Sequence, residues 1–540
     1  MSDARPVVHL FPCFESDDHL IEQLARVAWY IFPLDPQVIL SSRLEWPDVN
    51  WDELGFTPEV GALYSMGQPE WVRFEAMEMD EEALRRADII LLWQGVAPLE
   101  ALAPGSHARL IEEGVAVYDV DRSDRTEGAG YIDVTHRFAR NDESVIERSR
   151  ALFGEAAQEW RALERAYLFC SGPEIRKWQS YDFAEGINIY CNSVINDTDL
   201  SRAVPPDLEV FGDPIFHFGC SAYANEFRNK LMRSQARYGY KCVIPIKYYN
   251  LFVYWQPYMQ PHTVALPFKT MEQPNLDLLD EFSLSVTDNI LTFLMLPIAT
   301  TLASEVYLLG CDGRPLEDNK YFWNHNEKTQ FADKMEVIQR VHASFFTVDY
   351  DDYYQRHCDN VETYLSLAEQ TGIRFAALTP SFIPALEQRE HPHARDESGA
   401  LEPAALPKRN GEDTTANKVV SGTRMPKLEI TPDVETFGGD WERAYLSLKG
   451  RLADVEYVLE TKKIETRSMR GELLRANDQL AALFEVVNTL SREIRSFDDL
   501  KLAVRRLRLV SAELSARLSP DLQAPSSSNA SGAEGGARNT

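Results

Sequence analysis

Positive charge is what this sequence most lacks: 55 lysines and arginines stand against 84 aspartates and glutamates, a net charge of −29. Such a field repels phosphate backbones and anionic lipid surfaces, so nucleic acid is not expected as a general partner, although a local basic pocket for one small anion remains compatible with it. CxxC pairs are missing as well. The seven cysteines (Cys13, Cys170, Cys191, Cys220, Cys242, Cys311, Cys358) are scattered and odd in number, which fits reduced cytosolic thiols better than a disulfide framework or a structural zinc site. The start, MSDARPVVHLF, has no basic stretch followed by a long apolar core, so no signal peptide is expected. The longest uncharged run, Asn289 to Ser304, has sixteen residues, short of the roughly 20 apolar ones that a membrane span needs. Pro297 and three threonines interrupt it and EVYLLG follows at once, so it reads as a buried helix feeding a strand. The expectation is a cytoplasmic protein with no transmembrane segment. Neither GxGxxG nor GxxxxGK[ST] follows a strand-like segment, so the commonest nucleotide fingerprints are absent.

What is present is apolar material for sizeable cores, 44% of 540 residues, enough for two or three domains. Residues 1–165 alternate strand-like and helix-like segments: VVHLF (7–11), a helix from Asp17 to Trp29, VILSS (38–42), DIILLW (88–93), a helix near Arg109 to Glu113, and VAVYDV (115–120). That rhythm implies an N-terminal α/β domain with a mostly parallel sheet. A helical stretch from Glu143 to Arg165 leads into a second α/β segment, 166–386.

Residues 387–440 hold only one aromatic, Phe437, among many prolines and glycines, a composition expected to form a flexible linker. From 441 to 518 the period becomes helical. Leu480, Val487 and Ile494 with Leu483, Leu490 and Phe497 make an a/d seam, which predicts a C-terminal coiled coil and a homo-oligomer, the alternative being a helix folded back on its own subunit. The low-complexity tail, 519–540, is expected to be disordered.

Chemistry-bearing residues concentrate at strand ends in 166–386. YLFCSGPEI (167–175) places Ser171, Gly172 and Pro173 past a strand's carboxyl end, INIYCNSV (187–194) ends in Asn192 and Ser193, and LEVFGDPIFHFG (208–219) supplies Asp213 and then His217. Ligands bind at such ends in open α/β sheets.

In their order along the chain these blocks resemble the bacterial sialyltransferases and the wider sialyltransferase-like group, which includes flagellin-modifying and MptE-like proteins. CSGPEI with the later YDF and IYCNSV is similar to the family's first strand, loop and second strand; SVTDNILTFLMLPIATTLASEVYLLGCDG (285–313) to its helix and the strand ending in G-x-D; FWNHN (322–326) and RFAALTPS (374–381) to its histidine loop and closing strand. The likeness covers about 221 of 540 residues. Here Ser171 stands where the family has a loop asparagine, Glu174 where it has serine, and Asp288 and Asn289 where it has Ser-Gly. The resemblance implies a Rossmann-like sialyltransferase-type domain, and an inverting, metal-independent transfer of an acidic sugar from a CMP-sugar donor to a glycan or protein acceptor. It places Ser171, Gly172, Pro173, Asn192, Ser193, Asp213, Asp288, Asn289 and Asp312 at the donor.

The loop CDGRPLEDNKYFWNHN suits that chemistry on its own terms. Transfer needs a base for the acceptor hydroxyl and groups that stabilise the departing phosphate. His325 titrates near neutral pH, and Arg314 and Tyr321 can receive the phosphate charge. Each residue has a plainer reading. His325 sits among aromatics and can be structural, Asp312 can be a turn-former before Gly313, Asn192 can cap a turn, His217 can pack at a strand end, and His342 can pack in a helix. Two rival functions stay open: an MptE-like diphosphokinase using ATP with magnesium, with Asp312 as ligand, and a non-catalytic scaffold assembled through the coiled coil.

Overall fold

The computed structural model describes residues 5–394 except 43, 76–79, 122–126, 184, 316–330, 332–333, 343–349 and 393. Residues 1–417 form one compact unit and 418–540 another. The expected coiled coil, the tail, the linker beyond Ala394, and with them His325 and Tyr321, lie outside the described residues.

The first sheet consists of β1 (Val7–Phe14), β2 (Gln37–Ser42), β3 (Val72–Glu75), β4 (Ile89–Leu92) and β5 (Ala116–Asp119), all parallel, in the order β3-β2-β1-β4-β5. An unbroken apolar run such as IILL of β4 is buried throughout, as a parallel strand covered on both faces requires. Ser16 caps the helix Asp17–Arg26 by accepting the His19 N–H, and Asp17 and Asp18 complement its positive end. The expected continuation to Trp29 takes another form: Val27–Ile31 widens into a π-turn whose five residues are all buried.

The second sheet collects β6 (Arg165–Phe169), β7 (Ile187–Cys191), β8 (Leu208–Val210), β9 (Lys241–Pro245), β10 (Thr263–Leu266), β13 (Glu305–Leu309) and β14 (Arg374–Ala377). Between them β11 (Phe268–Lys269) and β12 (Leu284–Ser285) form a separate two-stranded ladder. The seven strands are parallel, in the order β10-β9-β8-β7-β6-β13-β14. The chain therefore winds one way from β6 to β10 and the other way from β13 to β14, and the order reverses between β6 and β13. The uncharged run does feed a strand: a π-turn Leu291–Met295 and a fully buried helix Leu296–Leu302 precede β13. Among the described residues no helix is long and apolar enough to cross a membrane.

The two sheets share one hydrophobic core. Trp29, carried in by the π-turn, stacks on Trp255 with ring centres 4.9 Å apart and donates its indole N–H to the Phe218 carbonyl at 2.8 Å. The Arg228 guanidinium lies 4.2 Å above the same ring, an arrangement in which a buried cation gains from the ring face. The first residues assigned to the linker run along β14, where the Ala377 N–H donates to the Arg389 carbonyl and the His391 N–H to the Ala377 carbonyl.

Candidate functional site

A cleft opens at the reversal between β6 and β13, where open α/β sheets hold their ligands. It encloses about 60 Å³ inside a wider, solvent-open mouth. Its walls come from Cys170–Pro173 after β6, Cys191 and Asn192 after β7, Asn289–Leu291 ahead of the buried helix, Gly310–Gly313 after β13, and Tyr354, His357 and Ile383.

Small residues make the space. Gly172 donates its N–H to the Gly310 carbonyl at 2.9 Å, and a Cβ on Gly172 would stand 2.5 Å from that oxygen and 2.7 Å from the Asp312 carboxylate. Gly310, at φ +70, is as tightly placed against the Cys170 carbonyl, so the two loops can lie this close only with glycine at both positions.

Three polar atoms in this lining are buried and have no hydrogen-bond partner among the described residues: Asn192 Oδ1, Asp312 Oδ1 and His357 Nδ1. Asn192 holds φ +54, a left-handed conformation that asparagine tolerates better than most residues. Asp312 accepts the Glu174 N–H on Oδ2 at 2.7 Å. Burial pushes the Asp312 carboxyl up to about 7, and burial holds the His357 imidazole down at about 4. At neutral pH the cleft thus presents an amide, a carboxyl of raised proton affinity and a neutral imidazole. A buried polar atom left unmatched costs about 1–3 kcal/mol, so the arrangement favours a ligand with hydrogen-bonding groups of its own.

Of the residues singled out by sequence, the structure brings Ser171, Gly172, Pro173, Asn192, Asn289 and Asp312 into one cleft. Asn289 spends its carboxamide on structure: Oδ1 accepts the Leu291 N–H at 2.9 Å. The neighbouring Asp288 pairs with Arg356 at 2.9 Å and is not in the lining. Ser193 is buried outside the lining. Asp213 closes its own turn after β8, accepting the N–H groups of Ile215 and Phe216 at 2.8 and 2.7 Å. His217 is a packed histidine, with Nδ1 accepting the Asp213 N–H and its ring 4.3 Å from Phe227. His342 is fully buried just after the helix Met335–Val341. Arg314 is buried with its guanidinium 4.8 Å over the ring of Tyr354, a wall of the cleft. Glu174, the residue that departs from the family serine, offers its backbone to Asp312 and its carboxylate to Lys177 at 2.8 Å.

Sequence reasoning missed Tyr354 and His357. They stand three apart in the helix Tyr350–Gln370, a spacing that puts both on one face, and that spacing was the available signal. No group of three His, Cys, Asp or Glu side chains among the described residues is placed to hold a metal ion. Compared with family models, curated proteins and solved structures, the chain has no match in any of the three.

Proposed function

We propose that the chain is a sialyltransferase-like glycosyltransferase that moves an acidic sugar from a CMP-sugar to a hydroxyl of a glycan or protein, with inversion and without a metal. The observation that carries this reading is the cleft at the β6/β13 reversal with its three unmatched polar atoms. An amide, a neutral imidazole and a carboxyl of raised proton affinity suit the base edge and hydroxyls of a nucleoside better than a phosphate. Arg314, next in the chain after Gly313 and stacked on the cleft wall, supports a role in holding the phosphate. In the proposed reaction the acceptor oxygen attacks the anomeric carbon, CMP departs with the bonding pair, and His325 takes the hydroxyl proton.

One observation favours the magnesium-dependent diphosphokinase alternative. Among the described residues Asp312 is the single carboxylate of the lining and its Oδ1 has no partner, and magnesium is commonly held by one or two carboxylates together with substrate phosphates. Its raised proton affinity argues the other way, because a carboxyl that holds its proton more tightly is a poorer cation ligand. Calorimetric titration of the full chain with CMP, and with ATP plus a pterin, each with and without magnesium, separates the readings. CMP binding without magnesium is the expected result. Binding of ATP only with magnesium would transfer the assignment to the diphosphokinase, and no nucleotide binding at all would leave the scaffold.

A further inference from the structure

Three of the seven cysteines that look scattered in sequence line one cleft. Cys170 follows β6 and Cys311 follows β13, and their sulfurs lie 2.8 Å apart although 141 residues separate them along the chain. The Met295 sulfur is 3.7 Å from Cys170, and Cys191, closing β7, lines the same cleft. The three cysteines are free thiols. Cys170, Cys191 and Cys311 each line the cleft, which gives a molecule as small as hydrogen peroxide a route to them although each residue is more than nine-tenths buried. The Cys170 N–H donates to the carbonyl of Leu309, two residues before Cys311, at 2.8 Å, which ties the two strand ends together. From the present 2.8 Å, a disulfide bond of about 2.05 Å needs the two sulfurs to approach by less than about 1 Å.

We infer that Cys170 and Cys311 are a site of reversible oxidation, closing to a disulfide that staples β6 to β13 across the strand-order reversal. With a peroxide as oxidant the atoms balance as follows. The sulfur of one deprotonated thiol attacks a peroxide oxygen, the O–O bond breaks, and the departing hydroxide takes up that thiol's proton to leave as water. The sulfenic acid so formed is attacked by the second sulfur, the S–O bond breaks, and the hydroxyl leaves with the second thiol's proton as another water. Two thiols are oxidised by two electrons, and one peroxide is reduced to two waters. Cys311 is the partner of Cys170 because their sulfurs make the close contact between the two strand ends that bound the cleft. The inference does not rest on the transferase reading, since the strands set the pair whatever the cleft binds.

The test is to expose the reduced full chain to hydrogen peroxide for graded times, block free thiols under denaturing conditions, and map peptides without reduction. The first disulfide to appear should join the Cys170 and Cys311 peptides within one chain, with two of the seven thiols lost and recovered by dithiothreitol. Cys311→Ser should abolish this link, whereas Cys191→Ser should leave its rate of formation unchanged within about twofold. A first link from Cys170 to Cys191, a link between chains, or conversion to sulfinic acid with no disulfide would overturn the inference. Mapping of the unsubstituted chain decides the matter even where a variant fails to fold.

Discussion

Both sheets reverse their strand order once, at β1/β4 in the first and at β6/β13 in the second, and the two places are treated in opposite ways. In the first sheet the protein fills the position itself. Trp93, directly after β4, stacks on Phe14 at the end of β1, with ring centres 4.8 Å apart and planes 12° off parallel, and its indole donates to the Pro12 carbonyl at 2.7 Å. In the second sheet Ser171, Gly172, Gly310 and Gly313 stand at the strand ends, and a cleft remains. The topology offers a ligand position in each sheet, and side-chain volume decides whether it stays open.

Removing the filled position is the strongest way to break that contrast. Trp93→Ala takes out a buried indole, its stacking partner and a hydrogen bond, and should lower stability by roughly 3–5 kcal/mol in urea unfolding. Added indole should restore part of the loss by entering the cavity. CMP affinity should stay as in the parent chain, because the nucleotide is assigned to the other sheet. A tenfold fall in that affinity in a variant that still folds would mean that the two positions are not independent.

The second sheet also tolerates polar groups in its interior that a purely structural sheet would avoid. Glu209, in the middle of β8, is fully buried, and neither carboxylate oxygen has a hydrogen-bond partner among the described residues. Burial pushes its carboxyl well above the usual range. The folded chain therefore keeps this proton where the unfolded chain, titrating near 4.5, gives it up. The stability contribution of the protonated group is complete below that pH and is lost as pH rises toward the folded-state value. Glu209→Met should accordingly stabilise the protein by roughly 1–3 kcal/mol at pH 8 and by less at pH 5. A gain that is equal at both pH values would show that the carboxyl is not held neutral.

The legible part of the molecule was set by patterns that survive in one dimension. Apolar runs bounded by turn residues marked β1, β2, β4 to β8 and β13, and the polar residues after β6 and β7 pointed to the sheet edge at which the cleft opens. β3, β9 and β10 escaped notice because VRFE alternates with charge, KCVIP ends on a proline, and TVAL is a short run between His262 and Pro267. The meeting of Cys170 with Cys311, and of Asp312 with His357, depends on which strands become neighbours, and sequence spacing does not carry that information. Asp213 looked like a ligand because it follows a strand, and Asp288 because the resemblance placed it at the donor, yet their carboxylates are engaged by the Ile215 and Phe216 N–H groups and by Arg356.

The finest test of the open position is Asn192, which combines a left-handed backbone with an unmatched carboxamide oxygen. A residue kept there for structure alone would be better as glycine, which enters φ +54 without a Cβ penalty. Asn192→Gly should therefore leave stability unchanged or raise it by up to about 1 kcal/mol, because relief of the backbone strain is partly offset by the greater freedom of glycine in the unfolded chain. Binding should move the opposite way. Loss of one hydrogen bond to the bound nucleoside should weaken CMP by about five- to tenfold, as read by calorimetry. A variant that is clearly less stable yet binds CMP as the parent does would make the carboxamide a structural group and remove it from the ligand's surroundings.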